Sequence, residues 1–191
     1  MSEILIFNKP YGVLSQFTDG GGRQTLADFI SLKDYYAAGR LDLNSEGLLI
    51  LTNDGRMQHH ISDPKYKLPK TYWVQIEGNI SSQALMELCQ GVQLKDGLTR
   101  PAVAEKIDLG EDAIWTRNPP IRKRETIPTS WISLTIREGR NRQIRRMTAA
   151  VGFPTLRLVR MQIGDWELDS LRPGEYRKEQ AILENNQHIA R

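Results

Sequence analysis

The sequence predicts an α+β fold, in which several strands joined as hairpins are interrupted by a few helices. Two alternating segments and one apolar run carry this reading. Residues 70–78, K-T-Y-W-V-Q-I-E-G, put Tyr72, Val74 and Ile76 on one face of a strand and Thr71, Trp73, Gln75 and Glu77 on the other. Residues 130–137 repeat the pattern, with Ile132, Leu134 and Ile136 on one face. Residues 48–51, L-L-I-L, are wholly apolar and bounded by Gly47 and by Asn53-Asp54-Gly55, as a buried strand would be. Helical spacing occurs only in short stretches between such segments, which argues against a doubly wound parallel sheet. The 191 residues suffice for one domain, or two closely joined lobes, around a sizeable core.

Taken in order, residues 3–8 and 13–17 read as two strands around the Lys9-Pro10-Tyr11-Gly12 turn. Residues 18–23, with three consecutive glycines, read as a loop. This loop has neither the Lys-Ser/Thr of a phosphate loop nor a G-x-G-x-x-G spacing, so it offers no nucleotide site. Residues 25–33 read as a short helix with Leu26, Phe29 and Ile30 on one side. After the apolar strand, Asp54-Gly55 turns the chain into a helix near 56–62. Ser81 or Ser82 caps the next helix, whose Leu85, Leu88, Cys89 and Val92 recur at helical spacing and whose stop signal is Gly91. Asp96-Gly97 marks a hairpin. Residues 116–128 are rich in Pro and Arg and read as an exposed loop. A helix over 141–151 with Asn141 as its N-cap, a strand over 155–163 and a last short strand after L-R-P-G-E-Y-R complete the chain.

Composition narrows the function classes. A single cysteine, Cys89, excludes an intrachain disulfide framework and fits a reducing compartment, here the cytoplasm. The opening residues lack a basic region followed by a long apolar one, so no signal peptide is expected. No apolar run approaches the ~20 residues of a membrane span, so no membrane association is expected. The three histidines include His59-His60, whose adjacent side chains diverge on a helix and suit no metal; none is expected. The net charge is only +3, but its distribution is uneven. Residues 117–160 hold eleven Lys and Arg against two acids, a net +9, and the rest of the chain carries −6. So strong a contrast points to an anionic polymer as partner.

Two strings carry chemistry. In G-R-L-D-L-N-S-E-G, residues 39–47, Asp42 occupies a polar turn at the mouth of the apolar strand. There a carboxylate is held rigidly and partly desolvated, as a nucleophilic carboxylate needs to be; an isolated turn Asp is otherwise an ordinary turn-former. In E-G-R-N-R-Q-I-R-R-M, residues 138–147, four arginines fall within ten residues. On a helix, Ile144, Met147 and Val151 share one side, Arg142 and Arg146 the opposite side, and Arg145 lies at the margin. The helix start adds a positive dipole end beside Arg140 and Arg142, suited to phosphate.

These strings, with K-T-Y-W-V at 70–74 and N-K-P-Y-G-V-L at 8–14, closely resemble the RNA pseudouridine synthases of the RsuA type, in the same order and over about residues 5–160. The resemblance implies a catalytic domain with a mixed, mainly antiparallel central sheet, flanking helices and a catalytic cleft. It implies that Asp42 is the nucleophile, that Arg145, or less readily Arg140, pairs with it, that Tyr72 stacks on the extruded base and handles a proton, and that Ile144 packs beneath that base. An Arg beside a carboxylate would keep it ionised and oriented. Arg40, Arg137, Arg140, Arg142, Arg146 and the Arg122-Lys123-Arg124 loop are expected to contact RNA. Many relatives carry an S4-like RNA-binding domain before N-K-P; here the chain starts a few residues upstream of that motif, so none is expected. F-N-K-P-Y-G-V-L-S-Q-F-T and N-P-P-I-R-K-R-E-T-I-P-T-S-W further resemble members acting on large-subunit (23S) ribosomal RNA.

The expected reaction is therefore isomerisation of one uridine to pseudouridine, with the uridine flipped into a pocket at a cost of roughly a few kcal/mol. It needs no cofactor. Whether Asp42 adds to the base at C6 or acts at the ribose is open at this level. The oligomeric state is open too, a monomer being the simplest reading. The alternative is a non-catalytic RNA-binding or ribosome-assembly protein using the basic face at 117–160, for which Asp42 would be dispensable. A glycosidase ranks lower, because Asp42 and Glu46 are the sole nearby carboxylate pair and share one turn.

Overall fold

The computed structural model describes residues 1–110, 112–121 and 126–182. In chain order its strands are β1 (Ser2–Lys9), β2 (Tyr36–Ala37), β3 (Glu46–Thr52), β4 (Lys70–Glu77), β5 (Gln93–Leu94), β6 (Gly97–Leu98), β7 (Val103–Ile107), β8 (Thr129–Ile136), β9 (Thr155–Ile163), β10 (Trp166–Glu167) and β11 (Tyr176–Ala181). The α-helices are α1 (Gly55–Ser62), α2 (Ser82–Gln90) and α3 (Gln143–Ala150).

One large sheet runs in the order β11-β1-β3-β9-β4-β8-β7, with β2 added to β3 and β10 to β9. Its pairings are antiparallel except β3–β9, which is parallel and rests on Glu46 opposite Val159 and Gly47 opposite Arg160. That short parallel seam joins an antiparallel half containing β1 and β3 to one built on β9, β4, β8 and β7. The mixed, mainly antiparallel sheet with flanking helices agrees with the α+β expectation. β3 is buried along its whole length, as its unbroken apolar run requires. It packs between two apolar clusters, one with α1 and one around Leu26, Ile30 and Tyr35. β4 alternates as expected, with Tyr72, Val74 and Ile76 inward against α2 and α3. Ser81 caps α2 by accepting from the Ala84 N–H, and Gly91 closes it at φ +104°.

Three expectations at the N-terminal end and the basic helix give way. Residues 13–17 do not form a strand, and β1 pairs instead with β3 and β11. The segment is held by isolated bonds from the Leu14 N–H to Gln24 O and from the Leu26 N–H to Gln16 O, and β3 and β11, paired on either side of β1, leave it no edge there. The helix over 25–33 contracts to one 3-10 turn, Leu26–Asp28, because Thr25 and Asp28 close a capping box and the chain leaves helical geometry at Phe29. The third is the start of α3. Asn141 is not its N-cap: Arg142 holds that place in the left-handed region, φ 48° and ψ 34°, with no side-chain cap. β5 and β6 pair as the hairpin that Asp96-Gly97 marks, whereas periodicity gives no sign of β2 and β10, which are two residues long, or of β7, whose residues do not alternate in burial.

Candidate active site

A cleft of about 850 Å³ opens where the two halves of the sheet meet. Asp42 stands on its wall, in the turn leading into β3. Ser15 pins this lead-in twice: its Oγ accepts the Leu41 N–H at 3.0 Å and donates to Leu41 O at 2.8 Å. The Ser45 N–H closes the turn onto Asp42 O at 3.0 Å, and the Gly12 N–H reaches Leu43 O at 2.8 Å. Leu41 is buried in the core just before the acid, and Glu46 is buried just after it. The turn is thus anchored at both ends, while the Asp42 side chain keeps 36% exposure to the cleft.

Glu46 is committed elsewhere. Arg157 donates to both of its oxygens at 2.8 Å, and the Trp115 indole N–H bonds Oε2 at 2.9 Å. A 2%-exposed carboxylate so engaged is no partner for a two-carboxylate hydrolysis, and this removes the glycosidase reading.

The arginines divide by structure, not by the helical wheel. Arg142 precedes the first helical residue, so its side chain leaves the outer face and swings over the Asp42 turn. Its Nη1 lies 3.3 Å from Asp42 Oδ2 and 3.2 Å from Asn44 Oδ1. The expected Arg145–Asp42 pair is therefore not made as a direct contact. Arg145 sits one step behind, donating from Nη2 to Asn44 O at 2.7 Å, with its Nε buried and unpartnered. Burial lowers its pKa, as does Arg142 beside it, and the nearby Asp42 opposes both. Arg140 is the alternative that the structure sets aside. Its guanidinium clamps the β5–β6 hairpin, at 3.0 Å from Gly97 O and 2.6 Å from Leu98 O, and meets Glu138 at 3.3 Å.

Arg146 also departs from its expected role as a free phosphate ligand. It grips Asp96 in a fork at 2.7 and 3.1 Å, and this holds the Asp96 carboxyl below its usual range. Arg40 is exposed on the cleft wall, and Arg137 is exposed beside Lys67 O. Arg122, Lys123 and Arg124 lie outside the described residues. Nearby, the Arg117 guanidinium lies over the Tyr11 ring at 4.4 Å.

Tyr72 and Ile144 line the cleft with Asp42, as expected. Both are nearly buried and belong to the core cluster under β4, so the cleft has an apolar wall facing a charged rim. Sequence reasoning missed Lys70, Asn44 and Arg160. Lys70 lies two residues before Tyr72 and shares its face, a relation available from strand alternation alone. Arg160 needed the β4–β9 register, which sets it opposite Tyr72. Among the described residues no group of His, Cys, Asp and Glu could hold a metal, and no helix is long and apolar enough to cross a membrane.

Residues 3–150 match the family model described as RNA pseudouridylate synthase. This chain belongs to that family. Within it, the chain is 60% identical over 176 residues to the ribosomal large subunit pseudouridine synthase E of Vibrio parahaemolyticus, covering 92% of this chain and 73% of that protein. It is 53% identical over 180 residues to the protein of the same name from Xanthomonas campestris pv. campestris, covering 93% and 96%. Among solved structures it resembles one titled as a pseudouridylate synthase, with a TM-score of 0.75, 31% identity, and coverage of 94% of this chain and 71% of that one. The pseudouridine synthase fold and enzyme class expected from the motifs are thus established for this member of the family.

Proposed function

We propose that this protein isomerises one uridine of large-subunit ribosomal RNA to pseudouridine, with Asp42 as nucleophile. One observation carries the assignment: a rigidly held, ion-paired carboxylate faces an apolar wall of Tyr72 and Ile144 across a single cleft. The substrate class follows from the relatives, whose names specify the ribosomal large subunit.

In this reading the flipped uracil enters the cleft, with Tyr72 along one side and Ile144 beneath it. Tyr72 replaces part of the stacking lost by the base, at a typical worth of ~1–3 kcal/mol per stacked base. Arg142, with its Nη1 3.3 Å from Oδ2, turns the Asp42 carboxylate toward the base. Arg145 fixes the turn itself through Asn44 O, so removing it misplaces the nucleophile without breaking an ion pair. Arg40 and Arg137 meet the RNA backbone, and the 122–124 segment supplies further positive charge. Such contacts position RNA without reading its sequence. The protein acts as a monomer in the cytoplasm, its cleft lies within one catalytic domain, and the reaction uses no small-molecule cofactor.

The test is direct. Large- and small-subunit ribosomal RNA transcripts are incubated separately with the protein and mapped for pseudouridine. The proposal expects one modified site, in the large-subunit RNA. Modification confined to small-subunit RNA would refute the substrate assignment, and none in either would refute the activity.

A further inference from the structure

Two cations in the cleft have no role in the reading above. Lys70 and Arg160 both line it, on adjacent strands. The β4–β9 register sets Arg160 opposite Tyr72 and Leu158 opposite Val74, and side chains directly opposite share a face of the sheet. Lys70 lies two residues along β4 from Tyr72, so it projects to that face as well. The two cations therefore stand beside the wall on which a uracil ring would lie.

Neither is neutralised. Arg160 is 3% exposed; its Nε bonds Leu48 O at 2.7 Å, but its Nη2 is buried with no partner. No hydrogen bond or ion pair among the described residues reaches Lys70 Nζ. Asp42 on the cleft wall and Glu46 behind it are already engaged, by Arg142 and Arg157 respectively. Burial and the charge of Arg160 pull the Lys70 pKa down to about 8. Two mutually repelling cations, one buried with an idle donor, form an unfavourable arrangement that an anion placed between them would relieve.

Phosphate is a poor fit to that place, because Tyr72 and Ile144 make the adjoining wall apolar. Resting on the proposed isomerisation, we propose that Lys70 and Arg160 form a subsite for a carbonyl oxygen of the flipped uracil and take up the negative charge that develops there. The N1–C1′ bond breaks with its electron pair remaining on the base, spread from N1 onto O2 and O4. Asp42 quenches the deficit at C1′, by bonding to it or by taking the C2′ proton. The base turns and C5 bonds to C1′, as Asp42 either leaves that carbon or returns its proton to C2′; C5 then loses its proton to solvent and N1 gains one. No redox change occurs. Donors fixed in advance around the forming anion act as an oxyanion hole does.

The experiment compares wild type, Lys70→Met and Lys70→Arg in single-turnover kinetics at saturating large-subunit RNA, with uridine or 5-fluorouridine at the target, beside a salt titration of RNA affinity. Lys70→Met should slow cleavage of the N1–C1′ bond by about 10²–10³-fold, the usual effect of losing one such donor. Lys70→Arg should recover part of the rate. The loss should be smaller with 5-fluorouridine, because fluorine already stabilises the departing anion. RNA affinity and its salt slope should stay at wild-type values. Equal losses for the two bases would overturn the proposal and leave Lys70 a structural role. So would an unchanged rate with the salt slope lowered by about 0.7–0.9, the mark of a phosphate contact. A wild type inactive on every RNA would overturn the isomerisation reading as well, so the two failures are told apart by the wild-type arm alone.

Discussion

At Gly47 the two halves of the sheet meet backbone to backbone, and replacing it with alanine tests that seam. Its φ is +100°, and a Cβ built there would fall 2.3 Å from Arg160 O, 2.8 Å from Arg160 N and 3.0 Å from Arg160 C. Strand β9 would have to retreat by roughly an ångström for ordinary contact, and the parallel seam has only two residue pairs with which to resist. Backbone strain at positive φ contributes about 1–3 kcal/mol, and forced overpacking typically adds about 1–3 kcal/mol. Gly47→Ala should therefore lose about 4 kcal/mol of stability. Gly152→Ala supplies the control. Its φ is +91°, but a Cβ would meet nothing within 4 Å, so it carries the strain without the clash and should lose about 1–3 kcal/mol. Equilibrium urea denaturation gives both numbers. Equal losses in the two variants would refute the close approach of β3 and β9. Because the clash falls on Arg160, Gly47→Ala should also lower isomerisation more than Gly152→Ala does.

Other perturbations reach different parts of the structure. Glu46→Gln leaves Arg157 buried beside a neutral amide and should destabilise the protein by about 3–5 kcal/mol in the same denaturation experiment; a loss below ~1 kcal/mol would mean that the ion pair carries no weight. Stability should depend on pH through two lysines. Burial holds Lys9 down to about 7 and Lys70 down to about 8, both below the ordinary value of 10.5. Between those values and 10.5 the unfolded chain binds more protons, so stability rises with pH. The urea midpoint at pH 9 should exceed that at pH 7 by the equivalent of about 3–4 kcal/mol, and equal midpoints would contradict the burial of these amines. Arg142→Ala should slow single-turnover isomerisation at saturating RNA, because Asp42 loses its direct partner; a variant weakened only in RNA affinity would return Arg142 to the phosphate-binding role.

The parts of the fold visible in the sequence are those that one periodicity describes. The alternation at 70–78 and 130–137 placed β4 and β8 almost to the residue, and the strand expected over 155–163 is β9. Elements fixed by tertiary neighbours were not visible. The segment 13–17 is extended enough to read as a strand, but β1 already has a partner on each side. At the candidate site the acid, the aromatic and the apolar residue could be named from their strings, while the arginine contacts could not. A helical wheel assumes that every residue in its window is helical. Arg142 at φ 48° lies outside the helix, and that single backbone state exchanges the places expected for Arg142 and Arg145. Arg146 and Arg140 looked free because the acid and carbonyls that bind them, in and beside the 95–98 hairpin, lie over forty residues away in sequence.

The central claim is that Asp42 is the nucleophile of a uridine isomerisation, and one comparison tests it most directly. Wild type and Asp42→Asn are assayed for tritium release from C5-labelled large-subunit ribosomal RNA, with RNA affinity measured in parallel. Asparagine keeps the size of the side chain and its place in the turn anchored by Ser15 and Ser45, but not its charge. The account predicts that wild type releases tritium and that Asp42→Asn releases none while binding RNA nearly as well. Release by Asp42→Asn within about tenfold of wild type, a difference of only ~1.4 kcal/mol in the barrier, would contradict it.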